Sequence, residues 1–299
     1  MTVSRFGGPE VLVQRDAPDP VAGPGEVRID VRVVEVLFFD TQLRAGWGQE
    51  NHPLQPPYVP GAGVGGTVGD RRVVARTGST GACAERVVVP ADEAVDVPAG
   101  LDLAVALAAL HDGVLATHRL DRARLRPGAR VLVTAAAGGA GHWFVPLAKA
   151  AGATVTATAG GPAKVDAVRG LGADVVVDHR AEGWEQRLGG PFDAVFDGAG
   201  GEVGRAALAR TVDGGFLSAH GAPGGAFGAQ GSVRGITVVP VQEPIGDAEW
   251  RRRIRDGLAL LAAGQVRPTV GLRVPLERAA AAHAAMAART VVGKTVLGV

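Results

Sequence analysis

The stretch from Val131 to Lys149 reads VLVTAAAGGAGHWFVPLAK. An apolar run rich in β-branched residues (Val131–Ala135) leads into the smallest side chains available and then directly into a helical segment opening at Gly141. A buried strand, a tight turn of tiny residues and a helix in that order let the backbone come close to a ligand. The first N–H groups of the helix have no partner within it and point at the same place. The spacing, Ala135-x-x-Gly138-x-x-Gly141, departs from the G-x-G-x-x-G fingerprint. A glycine-rich turn also serves packing alone, so its surroundings decide the reading.

Downstream the alternation continues. Thr154–Ala159 reads as a strand and Lys164–Leu171 as a helix, and strand-like runs follow at Val175–Asp178, Ala194–Phe196 and Phe216–Ala219. Apolar strands separated by helices predict a doubly wound parallel α/β sheet. In that context the turn is expected to hold the diphosphate of a dinucleotide against Ala137, Gly138, Gly139, Ala140, Gly141 and His142. A carboxylate for the ribose hydroxyl is expected about 20 residues further on. Residues 155–164 read VTATAGGPAK and contain none, while Lys164 and Arg180 supply positive charge. An acid there would repel a 2′-phosphate, so its absence favours NADPH over NADH.

The first hundred residues have another texture. Gly23-Pro24-Gly25 precedes a run from Val27 to Val36 with apolar residues frequent at alternate positions, and Arg72–Ala75 and Ala84–Val89 are also strand-like. Leu101–Leu120 is Ala/Leu-rich and helical in character, and the tail offers helices at Asp247–Ala263 and Glu277–Ala288 before a strand at Lys294–Val299. These runs predict a β-rich domain (1–100 and 265–299) interrupted by a nucleotide-binding domain (101–264). The 299 residues are 46% hydrophobic and 20% charged, as in ordinary globular chains. With 31 basic and 30 acidic side chains there is no global charge to draw nucleic acid or anionic lipid. The single cysteine, Cys83, excludes an internal disulfide and a cysteine-built zinc site. No apolar leader and no run of about 18 apolar residues is visible, so the expectation is a soluble cytoplasmic protein without a membrane span.

Four blocks carry a family resemblance: Phe6–Leu12 (FGGPEVL), Gly23–Val27 (GPGEV), Ala136–Gly141 with Leu147–Ala153, and Val291–Leu297 (VVGKTVL). Together with Phe192–Asp197 they resemble the zinc-independent quinone oxidoreductase branch of the medium-chain dehydrogenase/reductases, the ζ-crystallin-like group. The resemblance implies a GroES-like substrate domain and a Rossmann domain, with hydride passing from NADPH to a quinone or an α,β-unsaturated carbonyl compound. It adds Gly160, Gly198, Ala199, His220, Gly221 and Lys294 to the cofactor set. It also implies a homodimer formed through a sheet edge, for which Ile236–Val241 is the candidate. No metal is expected: Gly63 stands where metal-dependent relatives carry an acid after a histidine, and no cysteine precedes it.

Departures from the family pattern shape the expected active site. Leu37-Phe38-Phe39-Asp40 replaces Asn-Pro-x-Asp, Gly48 beside Trp47 replaces a tyrosine, and Gly113-Val114-Leu115 replaces Gly-x-Thr. An apolar substrate pocket of Leu37, Phe39 and Trp47 follows. His111 and Asp112 interrupt an apolar run. His111 is the candidate catalytic residue, a proton donor whose side chain type titrates near neutrality, whereas Asp112 alternatively caps the next helix. Two other readings stay open: an enoyl reductase of a biosynthetic intermediate, and a non-redox cyclase or binding protein that retains the fold.

Overall fold

The computed structural model describes residues 1–225 and 233–299. The chain opens with β1 (Thr2–Val3), β2 (Leu12–Val13), the long β3 (Glu26–Val36) and α1 (Phe38–Arg44). Next come β4 (Gly63–Val68), β5 (Arg71–Arg76), β6 (Arg86–Pro90) and β7 (Val95–Asp96). Helices and strands then alternate through α2 (Leu103–Ala106), α3 (Asp112–Ala123), β8 (Arg130–Thr134), α4 (Gly141–Ala150), β9 (Thr154–Ala159) and α5 (Pro162–Gly170). The alternation continues with β10 (Val175–Asp178), α6 (Trp184–Arg187), β11 (Phe192–Asp197), α7 (Gly201–Ala209) and β12 (Thr211–Ala219). The tail adds β13 (Thr237–Pro240), α8 (Asp247–Ala262), β14 (Val270–Pro275), α9 (Ala279–Ala287) and β15 (Lys294–Gly298).

Two compact units result. The first comprises Met1–His111, Ile254–Ala263 and Thr269–Val299, and the second Asp112–Arg253 with Gly264–Pro268. The sequence reading places the first boundary after residue 100; in the structure it falls after His111. The difference has a packing cause. Leu103 lies against Gly65 and Leu110 against Gly63, so the segment around α2 covers β4 and counts with the β-rich unit. The helical stretch expected over Leu101–Leu120 is divided, with a 3-10 turn at Leu107–Ala109 and α3 starting at Asp112.

Among the described residues the first unit carries a seven-stranded sheet in the order β14-β15-β3-β4-β5-β7, with β6 also paired to β3. β3 is long enough, at 11 residues, to take β6 along its first half and β15 along its second. Its Ile29, Val31, Val33, Val34 and Val36 are buried in the core. The register of β15 on β3 sets Val296 opposite Glu35, which puts Lys294 diagonally across from that carboxylate on the same face.

The second unit is a parallel sheet in the order β10-β9-β8-β11-β12-β13. Its order reverses between β8 and β11, the topological switch point, and ligands of such sheets bind beyond the carboxyl ends of the strands there. Interior strands are largely apolar: Leu132, Val133, Val155, Ala157, Val195 and Phe196 are all buried. Thus the parallel sheet is a Rossmann sheet, and the first unit is the β-rich domain expected from the sequence. Among the described residues no helix is long and apolar enough to cross a membrane.

Candidate active site

In the second unit the turn after β8 is held from several sides. Ala135 sits at φ +50°, a left-handed conformation that a side chain makes costly. Ala136 N–H donates to the Thr158 carbonyl at 2.9 Å, tying the turn to β9, and Gly138 N–H donates to the Ala135 carbonyl at 2.9 Å. Any Cβ on Gly141 would overlap the Ala136 carbonyl, and any on Gly139 would overlap the Asp112 carboxylate. A turn that admits no side chain at these places leaves main-chain N–H groups at the amino end of α4, the arrangement a diphosphate requires. His142, which the sequence places among the phosphate contacts, is buried, and its Nδ1–H donates to the Gly138 carbonyl at 2.9 Å. Burial lowers its pKa, so a neutral ring braces the turn from inside.

The end of β9 forms a second station. Asp178 Oδ1 accepts from Gly161 N–H at 3.0 Å and from Arg180 N–H at 2.9 Å, and the Gly161 bond is the chief reason its pKa is lowered. Arg180 Nε lies 2.9 Å, and His179 Nε2 3.0 Å, from where a Cβ on Gly160 would stand. Lys164 follows in the first turn of α5, half-buried. Basic side chains therefore surround Gly160, while the acid at the end of β10 is engaged by backbone. His179 was not anticipated; its place directly before Arg180, just past the third strand of the sheet, was the available signal.

Gly198, Ala199, His220 and Gly221 gather where β11 and β12 end. His220 Nε2 lies 3.1 Å from where a Cβ on Gly198 would stand, and a Cβ on Gly221 would overlap the Gly198 carbonyl. The His220 ring packs 5.0 Å from that of Phe144, and its Nδ1 is 3.1 Å from Ser218 Oγ. Burial, with Arg119 adding to it, pushes the His220 pKa down to about 3, so the ring is neutral. Asp197, which the sequence offers only as the end of a strand, is fully buried beneath this bend. Its Oδ1 accepts from Thr134 Oγ1 at 2.6 Å, Ala199 N–H at 3.1 Å and Gly200 N–H at 3.0 Å. Burial raises its pKa. The side chain fixes the loop rather than facing outward.

In the first unit, Asp40 Oδ2 accepts from Leu37 N–H at 2.8 Å and fastens the start of α1. The Phe39 ring meets Trp47 edge-on at 6.5 Å and His52 at 4.9 Å, and Trp47 is 45% exposed. Phe39 and Trp47 thus share one aromatic cluster, which His52 joins.

A charged cluster adjoins the same end of α1. Glu35 is wholly buried, His111 Nδ1 bonds to its Oε1, and Lys294 Nζ lies 2.5 Å from its Oε2. Burial alone would raise the Glu35 pKa, but His111 and Lys294 together hold it down at about 2. Asp40 is pushed up to about 7, mainly by burial, with the Glu35 charge adding to the effect. Lys294, assigned to the cofactor by resemblance, is buried here in the first unit with its ammonium against Glu35. Glu35 escaped the sequence reading because the third of three acids inside EVRIDVRVVEV looks like one more solvent-facing residue of an alternating strand.

A family model described as "Zinc-binding dehydrogenase" matches residues 171–297. The chain is 31% identical to a quinone oxidoreductase of Pseudomonas aeruginosa, across 98% of this chain and 97% of the relative. It is 32% identical to a 2-haloacrylate reductase of a Burkholderia species, across 99% and 97%. Among solved structures, the quinone oxidoreductase of Thermus thermophilus, determined also as its complex with NADPH, superimposes with a TM-score of 0.87 at 32% identity, covering 100% of this chain and 99% of that one. The residues do not fit a catalytic zinc: among the described residues no three His, Cys, Asp or Glu side chains gather as metal ligands. Glu35, the acid beside Gly63, is instead bound by His111 and Lys294. Near full-length similarity to quinone oxidoreductases, carried on this pair of folds, places the chain in the zinc-independent quinone oxidoreductase branch of the medium-chain dehydrogenase/reductase superfamily.

Proposed function

We propose that this chain is an NADPH-dependent reductase that reduces a quinone or an α,β-unsaturated carbonyl compound by hydride transfer without a metal. The observation that carries the reading is the Rossmann switch-point turn at Ala137–Gly141 together with the Arg180 and His179 side chains at Gly160, where backbone N–H groups take up the Asp178 carboxylate. The complex of the Thermus relative with NADPH supports the cofactor, and the names of the Pseudomonas and Burkholderia relatives support the two acceptor classes.

The backbone N–H groups of Gly139, Ala140 and Gly141 would hold the diphosphate, Arg180 with Lys164 the 2′-phosphate, and Gly198, Ala199, His220 and Gly221 the nicotinamide side. The bound reduced nicotinamide supplies the hydride; the chain orients it, keeps water away and contributes charge where needed. Leu37, Phe39 and Trp47 provide an apolar, aromatic surface suited to a flat conjugated acceptor. Loss of the reduced nicotinamide's absorbance on mixing enzyme, NADPH and a panel of quinones and enones tests the reading. Stoichiometric oxidation with at least one acceptor, and tighter binding of NADPH than of NADH by calorimetry, are expected. No oxidation with any acceptor, or equal binding of NADH, overturns it.

The resemblance further supports a homodimer built on β13, which ends the parallel sheet as an unpaired edge among the described residues. Light scattering at working concentration is expected to give twice the chain mass; a monomer overturns the pairing.

A further inference from the structure

We infer that Glu35 and His111 act as a positioned pair that delivers a proton to carbon, and hence that the physiological acceptor is an activated C=C double bond rather than a quinone. This rests on the reductase reading above. Three features support it. Glu35 is completely buried in a sheet core of valines, an expensive place for a charge unless its partners are fixed. Lys294, itself 2% exposed, engages Oε2, and His111 engages Oε1, so both carboxylate oxygens are held. His111 sits at the break before α3 with a side chain 21% exposed, so the cluster runs outward from the core. Gly63 makes this possible, because any side chain on β4 there would overlap Glu35 Oε1.

The arrangement fixes the ring. Nδ1–H donates to the Glu35 carboxylate, which sets the tautomer, and Nε2 becomes the atom that exchanges a proton with substrate. The charged groups around His111 include Glu35 of β3, Asp40 of α1 and Lys294 of β15. Hydride addition to the β-carbon of an enone leaves the former double-bond pair on the α-carbon and oxygen as an enolate. That pair takes the proton from His111 Nε2: the N–H bond breaks, a C–H bond forms, and the neutral imidazole regains a proton from water. A reduced quinone is protonated on oxygen, which exchanges with water unaided, whereas protonation at carbon benefits from a placed acid. His111 would be a catalytic residue and Glu35 a positioning residue.

The test compares wild-type enzyme with His111→Asn, Glu35→Gln and the double variant E35Q/K294Q, whose fold is checked by circular dichroism in case the single change leaves Lys294 uncompensated. For His111→Asn the ratio of enone to quinone kcat/KM is expected to fall about 10²-fold. In heavy water the wild type is expected to place deuterium on one face of the α-carbon of an α-substituted enone, and the variant on both. Independently of activity, nitrogen NMR spectra of the cofactor-free protein should show His111 protonated at Nδ1, with that signature lost in Glu35→Gln and in E35Q/K294Q. An unchanged ratio and an unchanged deuterated face in His111→Asn overturn the inference while leaving the reductase reading intact. A His111 ring without a proton on Nδ1 overturns the role of Glu35. Failure of every acceptor to oxidise NADPH removes the reductase reading and this inference with it.

Discussion

Gly141 and Ala136 are in such close apposition that a single added carbon on the glycine would occupy the space of the alanine carbonyl oxygen. Gly138 is less constrained, with 3.3 Å between its Cβ position and the Ala135 carbonyl. Gly141→Ala must therefore push the turn out of shape, and NADPH affinity measured by calorimetry is expected to drop by at least about tenfold, ~1.4 kcal/mol. Gly138→Ala should lose less. If both variants bind NADPH as the wild type does, the turn is not the diphosphate site.

Arg180 stands over the Gly160 turn with Nε 2.9 Å from the position of a Cβ. A guanidinium on a phosphate makes charge-assisted bonds of about 1.5–3 kcal/mol. Arg180→Ala is expected to weaken NADPH by roughly tenfold or more while leaving NADH nearly unchanged, so the preference between them narrows. An equal loss for both coenzymes would remove Arg180 from the 2′-phosphate.

Asp40 carries a pH-dependent cost. Its pKa is about 7 in the fold against 3.8 ordinarily, so the fold retains the proton that the unfolded chain releases. Stability is then undiminished below about pH 4, declines as pH rises toward 7, and stays reduced above it. Glu35 works in the opposite sense: at about 2 against 4.5, its contribution is full above 4.5 and lost as pH falls toward 2. Asp40→Asn keeps an oxygen for Leu37 N–H and removes the charge. The melting temperature at about pH 8 should rise by ~2–4 °C for each kcal/mol relieved, and the gain should vanish at about pH 4. No gain under the alkaline condition would show that Asp40 is ionised without penalty.

Trp47 is large, apolar and nearly half exposed, edge-on to Phe39. Surface exposure makes it dispensable for folding, whereas aromatic stacking with a flat acceptor is worth about 0.5–1.5 kcal/mol. Trp47→Ala is expected to raise KM for aromatic acceptors by roughly two- to tenfold, with NADPH affinity and melting temperature unchanged. An unaltered KM would exclude Trp47 from the acceptor surface.

Most of the second unit was legible in the chain itself. A strand of a parallel sheet is buried on both faces, so Val131–Thr134, Thr154–Ala159 and Phe192–Asp197 show as largely apolar runs. A turn that must exclude side chains shows as Ala and Gly. Those are local requirements, and local requirements are written in neighbouring residues. The Glu35–His111–Lys294 cluster was not legible, because its members are separated by 76 residues between Glu35 and His111 and by far more to Lys294. Whether an acid in a valine-rich strand faces water or core depends on which strands pair with it. Here β15 returned from the far end of the chain and β4 arrived with a glycine, and only the assembled sheet turned a surface-like glutamate into a buried anion.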